Sequence, residues 1–180
     1  SAYTRYKAMG DALKSSGRDI LLYMCEWGAR EPWKWGAETG ATTWRCTYDT
    51  RDGWNGTPGG IGIVQSVEGM KDIWPYSGVN RFNNADMMCV GIHGKGKSSN
   101  DLVEGAPGMT QTEYRTQFAM WCMWSSPLTL SFDLRKPIAE DDLAIMTNPE
   151  LIAINQDPMG QQAEFIGEDA NGVQLYFKDL

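Results

Sequence analysis

Arg45 and Asp49 stand four residues apart in a stretch, Thr42 to Asp49, that is rich in β-branched and aromatic residues and reads as a strand. Alternation along such a strand would send Arg45, Thr47 and Asp49 to one face. A guanidinium and a carboxylate would then share the mouth of one site, where a carboxylate can give and take protons. The plain alternative is a structural ion pair at a strand end. Three other expected strand ends carry comparable groups: Cys25–Glu26–Trp27, Asp86–Met87 and Asp133–Arg135. For Asp86 and Asp133 the plain alternative is a loop cap or turn carboxylate. The chain has one histidine, His93. A multi-histidine metal centre is thereby excluded within it, no cofactor or metal is called for, and carboxylates remain as the agents of any catalysis. His93 itself reads as a polar group on a loop surface.

The elements that would position these residues alternate. Tyr6, Met9 and Leu13 recur at helical spacing within 3–16. Ile20 to Met24 reads as a short buried strand, followed by a loop and by the Thr42 to Asp49 strand. Ile63, Val67 and Met70 share one face of a helix within 59–74, and Ala85 to Val90 reads as a third strand, buried on both faces. A long polar, glycine-rich loop then runs from Gly91 to Gly108. Thr110 and Glu113 form a capping box that opens a helix with Tyr114, Phe118, Trp121 and Cys122 on one face, ended by Pro127. Leu128 to Leu134 supplies a fourth strand, helical material from 140 to 154 is interrupted at Asn148–Pro149, and Val173 to Phe177 alternates like the first strand of something new. Repeated strand–helix units imply an α/β fold with a parallel sheet. Periodicity alone leaves a doubly wound sheet and a half-barrel both open, and a complete (β/α)8 barrel needs about 250 residues.

Composition narrows the function classes. With 180 residues, 42% of them hydrophobic, the chain can bury a core. Its 16 basic and 23 acidic residues give a net charge of -7, which repels nucleic acid. No apolar run reaches the roughly 18–20 residues of a membrane span, and Ser1–Ala2–Tyr3 opens without a leader pattern, so the chain reads as soluble and already processed or cut. Cys25, Cys46, Cys89 and Cys122 are widely spaced and read as mostly free and buried. The Gly91–Ile92–His93–Gly94–Lys95–Gly96–Lys97–Ser98 run matches the phosphate-loop expression, making a nucleotide-binding protein a rival class. A true phosphate loop opens directly into a helix, whereas Gly105–Ala106–Pro107–Gly108 follows here.

Five segments, taken in order, resemble glycoside hydrolase family 27, which holds α-galactosidases and α-N-acetylgalactosaminidases. They are YMCEWG at 23–28, Trp44–Arg45 with Asp49 and Trp54, NNADMMCVG at 83–91, SFDLR at 131–135 and INQDP at 154–158. The resemblance implies the C-terminal half of a (β/α)8 TIM barrel over residues 1–165, about strands five to eight, and the first strand of a C-terminal antiparallel β domain over 166–180. It implies a retaining double displacement with Asp49 as acid/base, and Arg45, Asp86, Met87, Cys25, Glu26 and Trp27 as substrate-binding residues. The family nucleophile lies in a lysine–tyrosine–aspartate segment on strand four, which this sequence does not contain, so another segment or chain must supply the N-terminal half of the barrel. Retaining hydrolysis needs two carboxyls about 5–5.5 Å apart.

The implied substrate is an α-galactoside or related sugar. Glu26 leans the choice toward galactose rather than an acetamido sugar, and Ala29 weakens that lean. Asn84, Ala85 and Phe132 depart from the family's usual aspartate, proline and asparagine, which keeps a non-catalytic carbohydrate-binding module in view. Ala41 stands where secreted animal members carry the cysteine that pairs with Cys25. The compartment stays open between secreted and cytoplasmic, and a homo-oligomer is compatible with the sequence.

Overall fold

The computed structural model describes residues 1–56, 59–94 and 108–180. Helix α1 (Ala2–Ser15) begins at Ser1, whose hydroxyl accepts from the Thr4 amide. It leads into β1 (Leu22–Met24), two short 3-10 turns, β2 (Ala41–Arg45), α2 (Ile63–Met70) and β3 (Phe82–Asn84). The three strands form one parallel sheet in the order β1-β2-β3, with Tyr23 opposite Thr43 and Arg45 opposite Asn84. A fourth chain run joins this sheet edge by a single parallel bridge, Met88 to Leu130, where the Met88 amide donates to the Thr129 carbonyl at 2.8 Å.

The strands are shorter than their apolar runs suggest. β2 ends at Arg45, so Asp49 lies on the turn beyond it, and β3 is Phe82–Asn84 rather than a strand over 85–90. The cause is local at β3: Asp86 has φ +77, a left-handed conformation that breaks a strand. Residues 128–134 likewise hold one bridge rather than a strand.

Alternation divides the sheet into two environments. Met24, Trp44 and Asn83, in register across the three strands, point to the helix-covered side and are fully buried. There the Asn83 amide accepts from Trp44 Nε1 at 2.8 Å and donates to the Ile73 carbonyl and to Gln162 Oε1, both at 2.9 Å. Gln162 in turn donates to the Met70 carbonyl. Tyr23, Thr43 and Arg45 take the opposite face.

Helix α3 (Gln111–Met123) carries the expected capping box at Thr110 and Glu113 and buries Tyr114, Phe118, Trp121 and Cys122. The helical stretch after it splits into α4 (Glu140–Met146) and α5 (Pro149–Asn155), and Asn148 caps the second through the Glu150 and Leu151 amides. Helix α1 departs from expectation. Its fully buried residues are Ala2 and Gly10, and of the Tyr6–Met9–Leu13 face Tyr6 and Leu13 are half-buried while Met9 is exposed. Gly10 is where the helix meets the chain before β2: a Cβ there would stand 1.7 Å from the Thr39 carbonyl oxygen. Cys46, Cys89 and Cys122 are free and buried, whereas Cys25 is free and exposed.

The tail forms an antiparallel hairpin of β4 (Glu164–Glu168) and β5 (Gln174–Phe177), so β5 is the second strand of a pair and not a first strand. The expected division between residues 165 and 166 falls within β4. Lys178 ties the hairpin to the helices by donating to the Cys122 and Ile154 carbonyls and the Ser125 hydroxyl. An ammonium among carbonyls at two helix C-termini is favoured by both helix dipoles.

Asn83→Ala strands the Trp44 indole N–H and Gln162 Oε1 without partners, while the Ile73 carbonyl keeps the Tyr76 amide and the Gln162 NH2 keeps the Met70 carbonyl; each buried orphan costs about 1–3 kcal/mol. Urea denaturation of the full-length protein is expected to show at least about 2 kcal/mol of lost stability, and a loss below about 0.5 kcal/mol would refute this account of the network.

Candidate functional site

Because β1, β2 and β3 are parallel, their C-terminal ends open on one edge, and the residues singled out above converge there. Arg45 is the hub. Its Nη1 lies 2.8 Å from Asp86 Oδ1, and its Nη2 lies 3.1 Å from both Asp49 Oδ1 and the Thr47 carbonyl. The Arg45 and Asp86 side chains are 6% and 10% exposed, while Asp49 is 39% exposed. Two of the three charges are therefore buried, and the third faces outward from the same cluster. Arg45 Nε and Thr47 Oγ1 are buried without a hydrogen-bond partner among the described residues.

The Asp86 turn is held from several sides. Its amide donates to Asn84 Oδ1 at 2.7 Å, its carbonyl accepts from Trp121 Nε1 at 2.7 Å, and the Ala85 amide donates to Ser126 Oγ. Asn84, a departure from the family pattern, thus serves the turn as an acceptor. The second oxygen of Asp86 accepts the Thr50 amide at 2.8 Å, which ties the Asp49 turn to the end of β3.

Electrostatics follow the burial. Desolvation pushes the Asp86 carboxyl above its ordinary value, with Asp49 adding to the rise and Arg45 and the amides of Thr50 and Met87 opposing it. Burial likewise weighs against the Arg45 charge, yet Asp86, Tyr23 and Asp49 outweigh it and hold the guanidinium protonated. The exposed Cys25 thiol is pushed up by partial desolvation, against Arg45 and with Asp49 and Asp86.

The expected residues do not all meet. Arg45, Asp49, Asp86 and Cys25 form one neighbourhood. Trp27, with φ +54, packs edge-on against Tyr48 at 5.4 Å, next to Asp49 in sequence. Met87 is partly exposed beside Asp86. Glu26 is not brought to the cluster: its carboxylate pairs with Arg30 at 2.7 Å and stands by Tyr6 of α1. The reason is strand alternation, which sends Tyr23 and Cys25 one way and Met24 and Glu26 the other. Asp133 and Arg135 form an exposed local ion pair.

Two residues were missed by sequence reasoning. Tyr23, 47% exposed, lies beside Arg45, and partial desolvation pushes its phenol up to about 12 against the pull of the guanidinium. The two-residue spacing from Cys25 was the available signal. Asp52 is buried a turn beyond Asp49, and nothing in its spacing marks it.

His93 is more than a surface group, since its Nε2 lies 2.6 Å from the buried Asp142. Of the phosphate-loop match, residues 91–94 turn through positive φ at Gly91, His93 and Gly94, and residues 95–98 lie outside the described residues. Among the described residues no group of three or more His, Cys, Asp or Glu side chains could hold a metal ion.

Three parallel strand ends thus gather an arginine and two aspartates on one edge of the sheet. Residues 1–157 match the family described as Alpha galactosidase A (Melibiase_2), and the chain belongs to it, the α-galactosidase family of glycoside hydrolases. An α-galactosidase of Cyamopsis tetragonoloba is 37% identical over 178 residues, 98% of this chain and 37% of that protein. A probable α-galactosidase of Dictyostelium discoideum is 34% identical over 170 residues, 94% of this chain and 38% of its relative. Among solved structures, a putative α-galactosidase/melibiase from Bacteroides fragilis superposes with a TM-score of 0.88 at 38% identity, covering 98% of this chain and 36% of that one. α-Galactosidase I from Mortierella vinacea gives a TM-score of 0.83 at 30% identity, covering 99% and 44%. The chain thus spans less than half the length of the relatives it matches.

Arg45→Met would leave the Asp86 carboxylate buried without its cation, a break that costs about 3–5 kcal/mol. The Asp86 carboxyl, already raised from 3.8 by burial, would rise further in the folded state while its unfolded value stayed the same. Stability of such a group is present below the unfolded value and lost as pH climbs through the folded one. The deficit of Arg45→Met relative to wild type should therefore grow between about pH 4 and pH 7 in denaturant titrations of the full-length protein, and a deficit that shrinks over that range would contradict the assignment.

Proposed function

We propose that this chain is the later part of a retaining α-galactosidase barrel, cleaving a terminal α-linked galactose by double displacement. The observation that carries the reading is the shared Arg45 bridge between buried Asp86 and outward-facing Asp49 at parallel strand ends. Asp49 is the acid/base. In the first step an aspartate contributed from outside this chain attacks the anomeric carbon, the glycosidic C–O bond breaks, and the Asp49 proton passes to the leaving oxygen. In the second, Asp49 takes a proton from water as the water oxygen attacks the same carbon and releases the aspartate. Asp86 and Arg45 would bind sugar hydroxyls, the unpartnered Nε supplying a donor, with Cys25, Trp27 and Met87 lining the opening. The choice of galactose rests on the relatives' names, since Glu26 is engaged with Arg30 and contributes no argument for it.

The division into a half-barrel over 1–165 and the start of a β domain over 166–180 belongs to the same reading. An N-terminal barrel half would cover the free edge of β1, where Ile20, Leu21 and Tyr23 are exposed, and the face of α1 that leaves Met9 uncovered. A free strand edge with apolar neighbours is a surface that folded proteins cover. Among the described residues no helix is long and apolar enough to cross a membrane.

In the full-length protein, Asp49→Asn keeps the shape of the side chain and removes its proton exchange. Turnover of an unactivated α-galactoside is expected to fall by about 100-fold to 10,000-fold, and an unchanged rate would remove Asp49 from the mechanism.

A further inference from the structure

We propose that Asp52 is the positioning residue for Asp49, acting through the turn that both occupy. This rests on Asp49 being the acid/base. Asp52 is 3% exposed, and a buried carboxylate persists only when its oxygens are satisfied. Here they accept the Tyr114 hydroxyl at 2.8 and 3.0 Å, the Gly94 amide at 2.8 Å and the Met109 amide at 3.1 Å. The donors come from three places in the chain: the end of the segment after β3, the residue before the α3 cap, and α3 itself. Tyr114 is oriented for the task, since its oxygen also accepts the His93 amide at 3.0 Å. Close packing leaves no slack, because a Cβ on Gly108 would stand 2.3 Å from Asp52 Oδ2.

The turn from 49 to 52 is therefore anchored at both ends. At the near end the Thr50 amide binds Asp86 and the Ile61 amide binds the Asp49 carbonyl, both at 2.8 Å. At the far end Asp52 is clamped to α3 and to the two flanking segments. Asp49 is the one member of the acidic pair whose side chain is substantially exposed, so the frame of this turn is what sets where its proton is delivered. Loss of the far anchor frees the turn to shift, and a displacement of about 1 Å can cost about 100-fold in rate.

The test measures kcat/KM, which reports the first chemical step, for two α-galactosides in the full-length protein. One has an alkyl or sugar leaving group that needs the acid, and the other a dinitrophenyl group that leaves without it. Asp52→Asn sets an amide NH2 among three donors, and Tyr114→Phe removes only the hydroxyl. For Asp52→Asn the expected fall is about 100-fold on the first substrate and less than about 3-fold on the second, with Tyr114→Phe showing the same split at smaller size. Equal losses on both substrates, or losses that track the folded fraction by near-UV circular dichroism, would overturn the proposal. If Asp52→Asn does not fold, the split or its absence in Tyr114→Phe decides. Asp49→Asn run alongside separates the two claims: a split there without one at Asp52 or Tyr114 overturns only Asp52, whereas no split at Asp49 overturns the acid/base assignment itself.

Discussion

A guanidinium almost wholly removed from water, with a carboxylate on either side, is the contact on which this site depends. Burying Arg45 alone would be prohibitive, and burying Asp86 alone would drive it to its neutral form. Each makes the other tolerable. The planar fork of arginine allows one Nη to face Asp86 while the other reaches Asp49 and the Thr47 carbonyl, which a lysine point charge would not do. Because Asp86 also holds the Thr50 amide, the same contact couples the end of β3 to the turn after β2.

The opposite face of the sheet shows a different solution to the same problem. Asn83 is adjacent to Asn84 in sequence but points toward the helices, where neutral bonds to Trp44, Ile73 and Gln162 satisfy its side-chain amide without a charge. At these three strands the buried ion pairs lie on the Arg45 face, and the Trp44–Asn83 layer on the other face uses neutral hydrogen bonds. Period-two alternation along strands of only three to five residues is sufficient to create both environments.

Alternation also accounts for how the expected residues sort. Cys25 and Tyr23 reach the Arg45 face, and Glu26 does not, though Glu26 sits between Cys25 and Trp27 in a motif that resembles the family's. Motif membership placed Glu26 in the right loop; its orientation was set by the parity of its position and by the nearby Arg30.

Local pattern determined much of this protein: the capping box of α3 and its buried face, the break at Asn148–Pro149, the parallel α/β class, and the Arg45–Asp49 pair, whose four-residue spacing keeps the two groups within reach by strand or by turn. Those features depend on neighbours in sequence. Tertiary structure alone decided where β2 stops, why β3 precedes rather than contains Asp86, and that Asp52 and Tyr114 meet across 62 residues. Strand limits reflect which backbone groups find partners on adjacent strands, and a buried carboxylate is defined by donors brought from distant segments. Neither is encoded at the spacing of a few residues, so neither was legible before the chain was folded.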